Sequence, residues 1–103
     1  MESLTDKTLD DFLGEGRALI EISAPGCAPC KHMAEKVLPG FEGSIRIGNI
    51  DGTANRDALN KFQRDSGKQI IGVPVMLLYQ DGKLVQRYDG PMRAEEIREF
   101  INV

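Results

Sequence analysis

The chain of 103 residues predicts an α/β domain, a central mixed sheet of four to five strands with helices on both faces. Three observations point there. Apolar stretches with helical spacing alternate with stretches rich in branched apolar residues; two late strands meet across Asp81-Gly82, a two-residue turn that forces them antiparallel; and an amphipathic stretch closes the chain. The length suits one domain over residues 1–103, and a chain of this size buries roughly 65% of its unfolded surface, enough to fold without staples or structural metal.

The elements follow in order. A leading strand is reduced to Glu2–Thr5 or absent. Leu9, Phe12 and Leu13 fall at helical spacing behind Thr8, a candidate cap, and Gly14 ends the pattern. Arg17–Ser23 reads as a buried strand stopped by Ala24-Pro25-Gly26. A helix starts at the cysteines and runs to about Leu38, where Pro39-Gly40 breaks it. Ser44–Asp51 is the next strand, followed by a helix over Thr53–Gly67 that turns Ala58, Leu59 and Phe62 inward. Val73–Gln80 and Lys83–Asp89 form the hairpin. The terminal helix begins near Arg93, with Glu95 and Glu96 in its first turn and a stripe of Ile97, Phe100 and Ile101.

The totals exclude several classes. A net charge of −3 and a pI near 5.1 argue against nucleic acid and anionic membranes as partners, because both attract basic surfaces. The amino end lacks a basic region followed by an apolar run, so neither a signal peptide nor a membrane anchor is read there, and the expected location is cytoplasmic. In that compartment thiols are kept reduced, and a close cysteine pair belongs to metal or redox chemistry more often than to a structural disulfide.

The two cysteines, Cys27 and Cys30, lie in the stretch SAPGCAPCKHM. A bridge closing so short a loop removes little entropy from the unfolded chain, which weakens the staple reading. A structural zinc site normally takes four ligands, and the single histidine, His32, reads as a solvated helix residue; no metal and no cofactor are expected. Position separates the two thiols. Cys27 stands at a strand-to-helix junction, where unpaired amides and the positive end of the helix favour a thiolate; Cys30 lies one turn further in, with fewer free amides. Pro29 is tolerated in a first helical turn and stiffens the pair.

With its preceding strand, CAPCK resembles the Cys-Gly-Pro-Cys-Lys segment of the thioredoxin family, and GVPVMLLYQDGKLVQRYDGPMRAEEIREFI is similar to that family's second half element by element. The matches run from about Thr8 to Ile101. The resemblance implies a thioredoxin fold and a thiol–disulfide oxidoreductase that reduces protein disulfides, with Cys27 as attacking nucleophile and Cys30 as resolving thiol. It also implies a cis-proline at Pro74, with the Val73 backbone pairing with an extended substrate peptide, and a rim of Gly26, Ala28, Pro29 and Gly90 on which the partner docks. The implied partners are disulfide-containing proteins and an electron donor of the thioredoxin-reductase type, met by a monomer.

The family's buried aspartate falls here at Glu21. A carboxylate there could accept the proton of Cys30, or it could point to solvent from a strand edge, and alternation along the strand does not decide between them. The family's lysine partner to that acid aligns with Ile47, and its two active-site tryptophans align with Ser23 and Gly26. Its mid-helix proline aligns with Glu35, and the helix before GVP is longer than usual. These departures leave the dithiol chemistry in place, while the missing tryptophans and Ile47 lean slightly toward an alternative, a binding module that holds a partner peptide at Val73-Pro74 with no essential redox turnover. Met33, Met76 and Met92 read as core or rim residues.

Overall fold

A computed structural model describes all residues, 1–103. Five strands form one sheet in the order β1-β3-β2-β4-β5: β1 (Glu2–Leu4), β2 (Arg17–Ser23), β3 (Arg46–Asp51), β4 (Val75–Gln80) and β5 (Lys83–Asp89). β1 and β2 both pair with β3 in parallel, while β4 runs antiparallel to β2 and β5, so the sheet is mixed. The leading strand is therefore present, and its Leu4 is buried beside β3. β2 occupies the centre, which explains its run of buried residues from Ala18 to Ile22.

Helices α1 (Leu9–Leu13) and α3 (Arg56–Ser66) cover one face. Their Leu9, Phe12, Leu13, Ala58 and Phe62 pack on Ala18, Ile20, Ile22, Leu77 and Tyr79 of the strands. Thr8 makes no side-chain bond to the amides of α1; its hydroxyl accepts from the Thr5 amide at 2.9 Å instead. α3 starts three residues later than the sequence suggests, because residues 51–54 turn on the Asp51 carboxylate, which accepts from the amide and hydroxyl of Thr53. Asp6 then reaches across from the loop before α1 and accepts from the Ala58 amide at 2.7 Å. Gly67 ends α3 in a left-handed conformation, φ 69°. Leu59 is half-exposed rather than fully inward.

The other face is covered by α2 (Ala28–His32) and α4 (Ala94–Phe100). α2 passes without a break into a π-helical turn, Met33–Val37, and a 3₁₀ turn, Leu38–Phe41. Pro39-Gly40 thus does not end the helical path. Pro39 lies at the start of the 3₁₀ turn, where its missing N–H has no bond to lose, and the path runs on until Phe41 is buried. β3 begins at Arg46 rather than Ser44, since the amides of Ser44 and Ile45 are taken up by the Phe41 carbonyl. β4 likewise begins at Val75, because Pro74 has no N–H to give the ladder. Met33, Met76 and Met92 all belong to this second core, with Leu19, Ile47, Leu78, Ile97 and Phe100.

Candidate active site

Three chain segments converge at one end of the sheet. Ile22, near the end of β2, pairs with Val75 at the start of β4, and Val75 pairs with Asp89 at the end of β5. The loop from β2 to Cys27, the Val73-Pro74 step and Gly90 therefore lie side by side. The Gly90 amide donates to the Pro74 carbonyl at 2.9 Å, tying two of them together. The Val73-Pro74 peptide is cis, and Gly26 and Gly90 have φ of 79° and 111°, a region glycine enters without steric cost. Of the rim residues, Gly26, Ala28 and Pro29 are exposed, Val73 and Gly90 are half-exposed, and Pro74 is buried beneath them.

Cys27 is the N-cap of α2, with extended backbone angles, and Pro29 follows within the first helical turn. Cys27 and Cys30 are joined by a disulfide, with Cα atoms 5.3 Å apart. The Cys30 amide donates to Cys27 Sγ at 3.2 Å, a bond that strengthens once that sulfur carries the negative charge of a thiolate. Cys27 is half-exposed and Cys30 is 3% exposed, so one sulfur meets a partner and the other is held inside. His32 is exposed on α2. No three His, Cys, Asp or Glu side chains converge to hold a metal ion.

Glu21, on the strand that leads to the pair, is fully buried, which excludes the solvent-edge reading. Alternation along β2 puts it on the same face as Leu19, the face that α2 covers, with Asn49 beside it on β3 and Met76 on β4. Glu21 Oε1 accepts from the Asn49 side-chain amide at 2.7 Å, while Oε2 is buried without a partner. Burial pushes the carboxyl up from 4.5 to about 7, against the pull of the Asn49 hydrogen bond. Ile47, which shares this face of β3 with Asn49, is buried in the apolar core and offers the acid no positive charge.

The sequence reading missed Asn49. Its signal was a polar residue inside the strand RIGNID, two positions from Ile47 and hence on the same face. Ser23 Oγ donates to Asn49 Oδ1 at 3.1 Å. Both residues line an open hollow of about 670 Å³ that extends to Cys27, Cys30, Lys31 and Ala34. A second hollow, about 350 Å³ and mainly apolar, lies beside Val73 and includes Ile70, Ile71, Leu59 and Arg56.

The family model for thioredoxin matches residues 1–103, the whole chain. Thioredoxin from Bacillus subtilis is 27% identical over 101 residues, covering 95% of this chain and 91% of that protein. Protein disulfide-isomerase A3 from Gallus gallus is 31% identical over 99 residues, covering 91% of this chain; the chain spans only 18% of that longer protein. In fold the chain is similar to a mutant thioredoxin from Halobacterium salinarum, with a TM-score of 0.79, 23% identity, and coverage of 97% of this chain and 88% of that one. Whole-length agreement with the family model and a CxxC pair at disulfide distance lead to one conclusion: the chain belongs to the thioredoxin family, and its chemistry is thiol–disulfide exchange.

Proposed function

We propose that the protein reduces protein disulfides, with Cys27 as nucleophile, Cys30 as resolving thiol and Glu21 as the acceptor of the Cys30 proton. The observation that carries this reading is the unequal exposure of the bonded pair, whose hollow is shared with Asn49, the partner of a buried carboxylate pushed up to about 7. In the reduced protein the Cys27 thiolate attacks a substrate disulfide; a mixed disulfide forms and the first substrate sulfur leaves as a thiolate. Cys30 then passes its proton to Glu21, attacks Cys27 Sγ and expels the second substrate sulfur. Substrate gains two electrons, and the Cys27–Cys30 disulfide forms. A reductase of the thioredoxin-reductase type would restore the dithiol, and the cytoplasm, where thiols are kept reduced, suits that cycle.

Docking is assigned to the rim. An extended substrate segment pairs with the backbone of Val73 as a short added strand, and Gly26, Ala28, Pro29 and Gly90 leave the approach to Cys27 free of bulk. No helix is long and apolar enough to cross a membrane.

Trapping tests the assignment. Cys27→Ser is expected to abolish reduction of a protein disulfide, whereas Cys30→Ser is expected to accumulate a mixed disulfide with substrate; a Cys30→Ser protein that traps nothing overturns the roles. Equilibration with a glutathione buffer tests the direction: a potential near roughly −270 mV fits a reductase, and one near roughly −120 mV fits an oxidant. Proton transfer is tested by pH. Below pH 7 Glu21 already holds its proton and cannot accept another, so release from the mixed disulfide should accelerate as pH rises through about 7. Glu21→Gln should be slow and lack that inflection; a variant that retains it excludes Glu21 as acceptor.

A further inference from the structure

Glu21 is a buried acid with no cation beside it. On its face of the sheet it is flanked by Ile47 and Asn49 of β3 and by Met76 and Leu78 of β4, and Met33 of the π-helical turn and Ile97 and Phe100 of α4 belong to the same core; buried Cys30 of α2 lines one hollow with Asn49. None of the core side chains titrates, and Cys30 becomes a titratable thiol only when the disulfide is reduced. Lys31 is exposed on the wall of the hollow, and the terminal amine of Met1, on the same wall, is paired with Glu42. One group alone favours the ionised carboxylate, the amide of Asn49.

That amide is itself held. Its Oδ1 accepts from the Ser23 hydroxyl, so its NH₂ is the end turned to Glu21 Oε1. Had the amide turned the other way, its oxygen would face the ionised carboxylate oxygen with no proton between them. With Oε1 occupied, Oε2 is the oxygen left without a bond. We propose that Asn49, latched by Ser23, is the positioning residue of the Glu21 relay: it fixes the carboxyl group and reserves Oε2 for the proton that Cys30 gives up.

The inference rests on the relay role of Glu21 proposed above. The balance is simple. The Cys30 S–H bond breaks and an Oε2–H bond forms; the Cys30 thiolate then forms the S–S bond to Cys27 as the substrate thiolate leaves; the Glu21 proton later passes to solvent. Asn49 gains and loses no atom.

The test compares Asn49→Leu, which removes the donor at similar volume, with Ser23→Ala, which at a half-exposed position frees the latch and a longer 3.4 Å contact to the Ile50 carbonyl. The first readout is the ¹³C titration of the Glu21 carboxyl in the whole disulfide-bonded protein, its signal identified by Glu21→Gln. Asn49→Leu should move the midpoint upward from about 7 by about one pH unit or more, and Ser23→Ala by less in the same direction. The second readout is the pH profile of substrate release. A midpoint near 8 leaves roughly a fifth as many ionised carboxylates at pH 7, so release there should slow about fivefold.

Unchanged midpoints in the folded variants overturn the proposal. So does a slowing by Asn49→Leu that persists undiminished in a Glu21→Gln background, since Asn49 would then act without Glu21. If instead the midpoint moves while Glu21→Gln releases substrate as the unaltered protein does, the relay has failed and the hold of Asn49 on the carboxyl has not.

Discussion

The two faces of the sheet are built for different ends. Under α1 and α3 the core is apolar throughout, from Leu4 to Tyr79, and its polar atoms are satisfied at its margin, where the Tyr79 hydroxyl donates to Asp65 at 2.6 Å. Under α2 and α4 an equally buried layer contains a carboxylate with one oxygen unpaired, flexible methionines, and a hollow that opens beside the disulfide. The first face supplies stability without chemistry. The second gives up stability to bury an acid whose carboxyl is pushed up to about 7, a value that suits the relay proposed above.

The contrast is broken most severely by emptying the first face. Phe62→Ala removes a fully buried ring from between α3 and the sheet and should cost about 3–5 kcal/mol in denaturant unfolding, with the alkylation rate of reduced Cys27 unchanged. A loss below about 1 kcal/mol would mean that this face is loosely packed.

Next in size is Glu21→Leu, which tests the cost on the second face. The folded protein holds this proton up to about pH 7, whereas an unfolded glutamate releases it near 4.5. Between those values the folded state binds more protons, so stability falls as pH rises; at about 1.4 kcal/mol per pH unit the loss reaches about 3 kcal/mol above pH 7. Glu21→Leu should lack that decline, gaining on the unaltered protein at pH 8 and not at pH 4. Parallel stability–pH curves would remove the claim that the acid is kept at a cost.

Two smaller effects probe how tightly the first face closes. A Cβ on Gly48 would collide with Leu4 Cδ1 and stand 3.1 Å from Phe12 Cε2, so Gly48→Ala should destabilise by about 1–3 kcal/mol as β1 and α1 are pushed off β3. Asp6→Ala removes the carboxylate that accepts from the first-turn amide of Ala58, and should cost about 1 kcal/mol, measured as a lower unfolding midpoint. Were Gly48→Ala neutral, Leu4 would have room to move and the leading strand would be a looser cover than the geometry implies.

Much of this was legible before any coordinates. The limits of β2 and β5 follow from turn residues on either side, and the hairpin from Asp81-Gly82. Cys27 and Cys30 were separable by their place at a strand-to-helix junction, because local backbone geometry alone gives them different surroundings. Pro39-Gly40 misled, since a proline at the start of a 3₁₀ turn loses no hydrogen bond, and a local breaker signal does not report whether a tighter turn can follow. The start of α3 was displaced for a related reason: Asn55 precedes it without a capping bond, and its first amides are satisfied by Asp6 from 52 residues away.

By itself, the sequence determined the order of elements after the leading strand, the antiparallel hairpin and the reactive pair, all of which depend on residues within a few positions of one another. Only the tertiary structure decided the fate of Glu21. A strand covered on both faces has no polar side, so alternation along β2 carried no information about where the carboxyl points; that was settled by a helix packed over it. The same is true of Asn49 and Ser23. They are 26 residues apart in the chain and meet because β2 and β3 lie in parallel register, and the bond between them exists only once the sheet has formed.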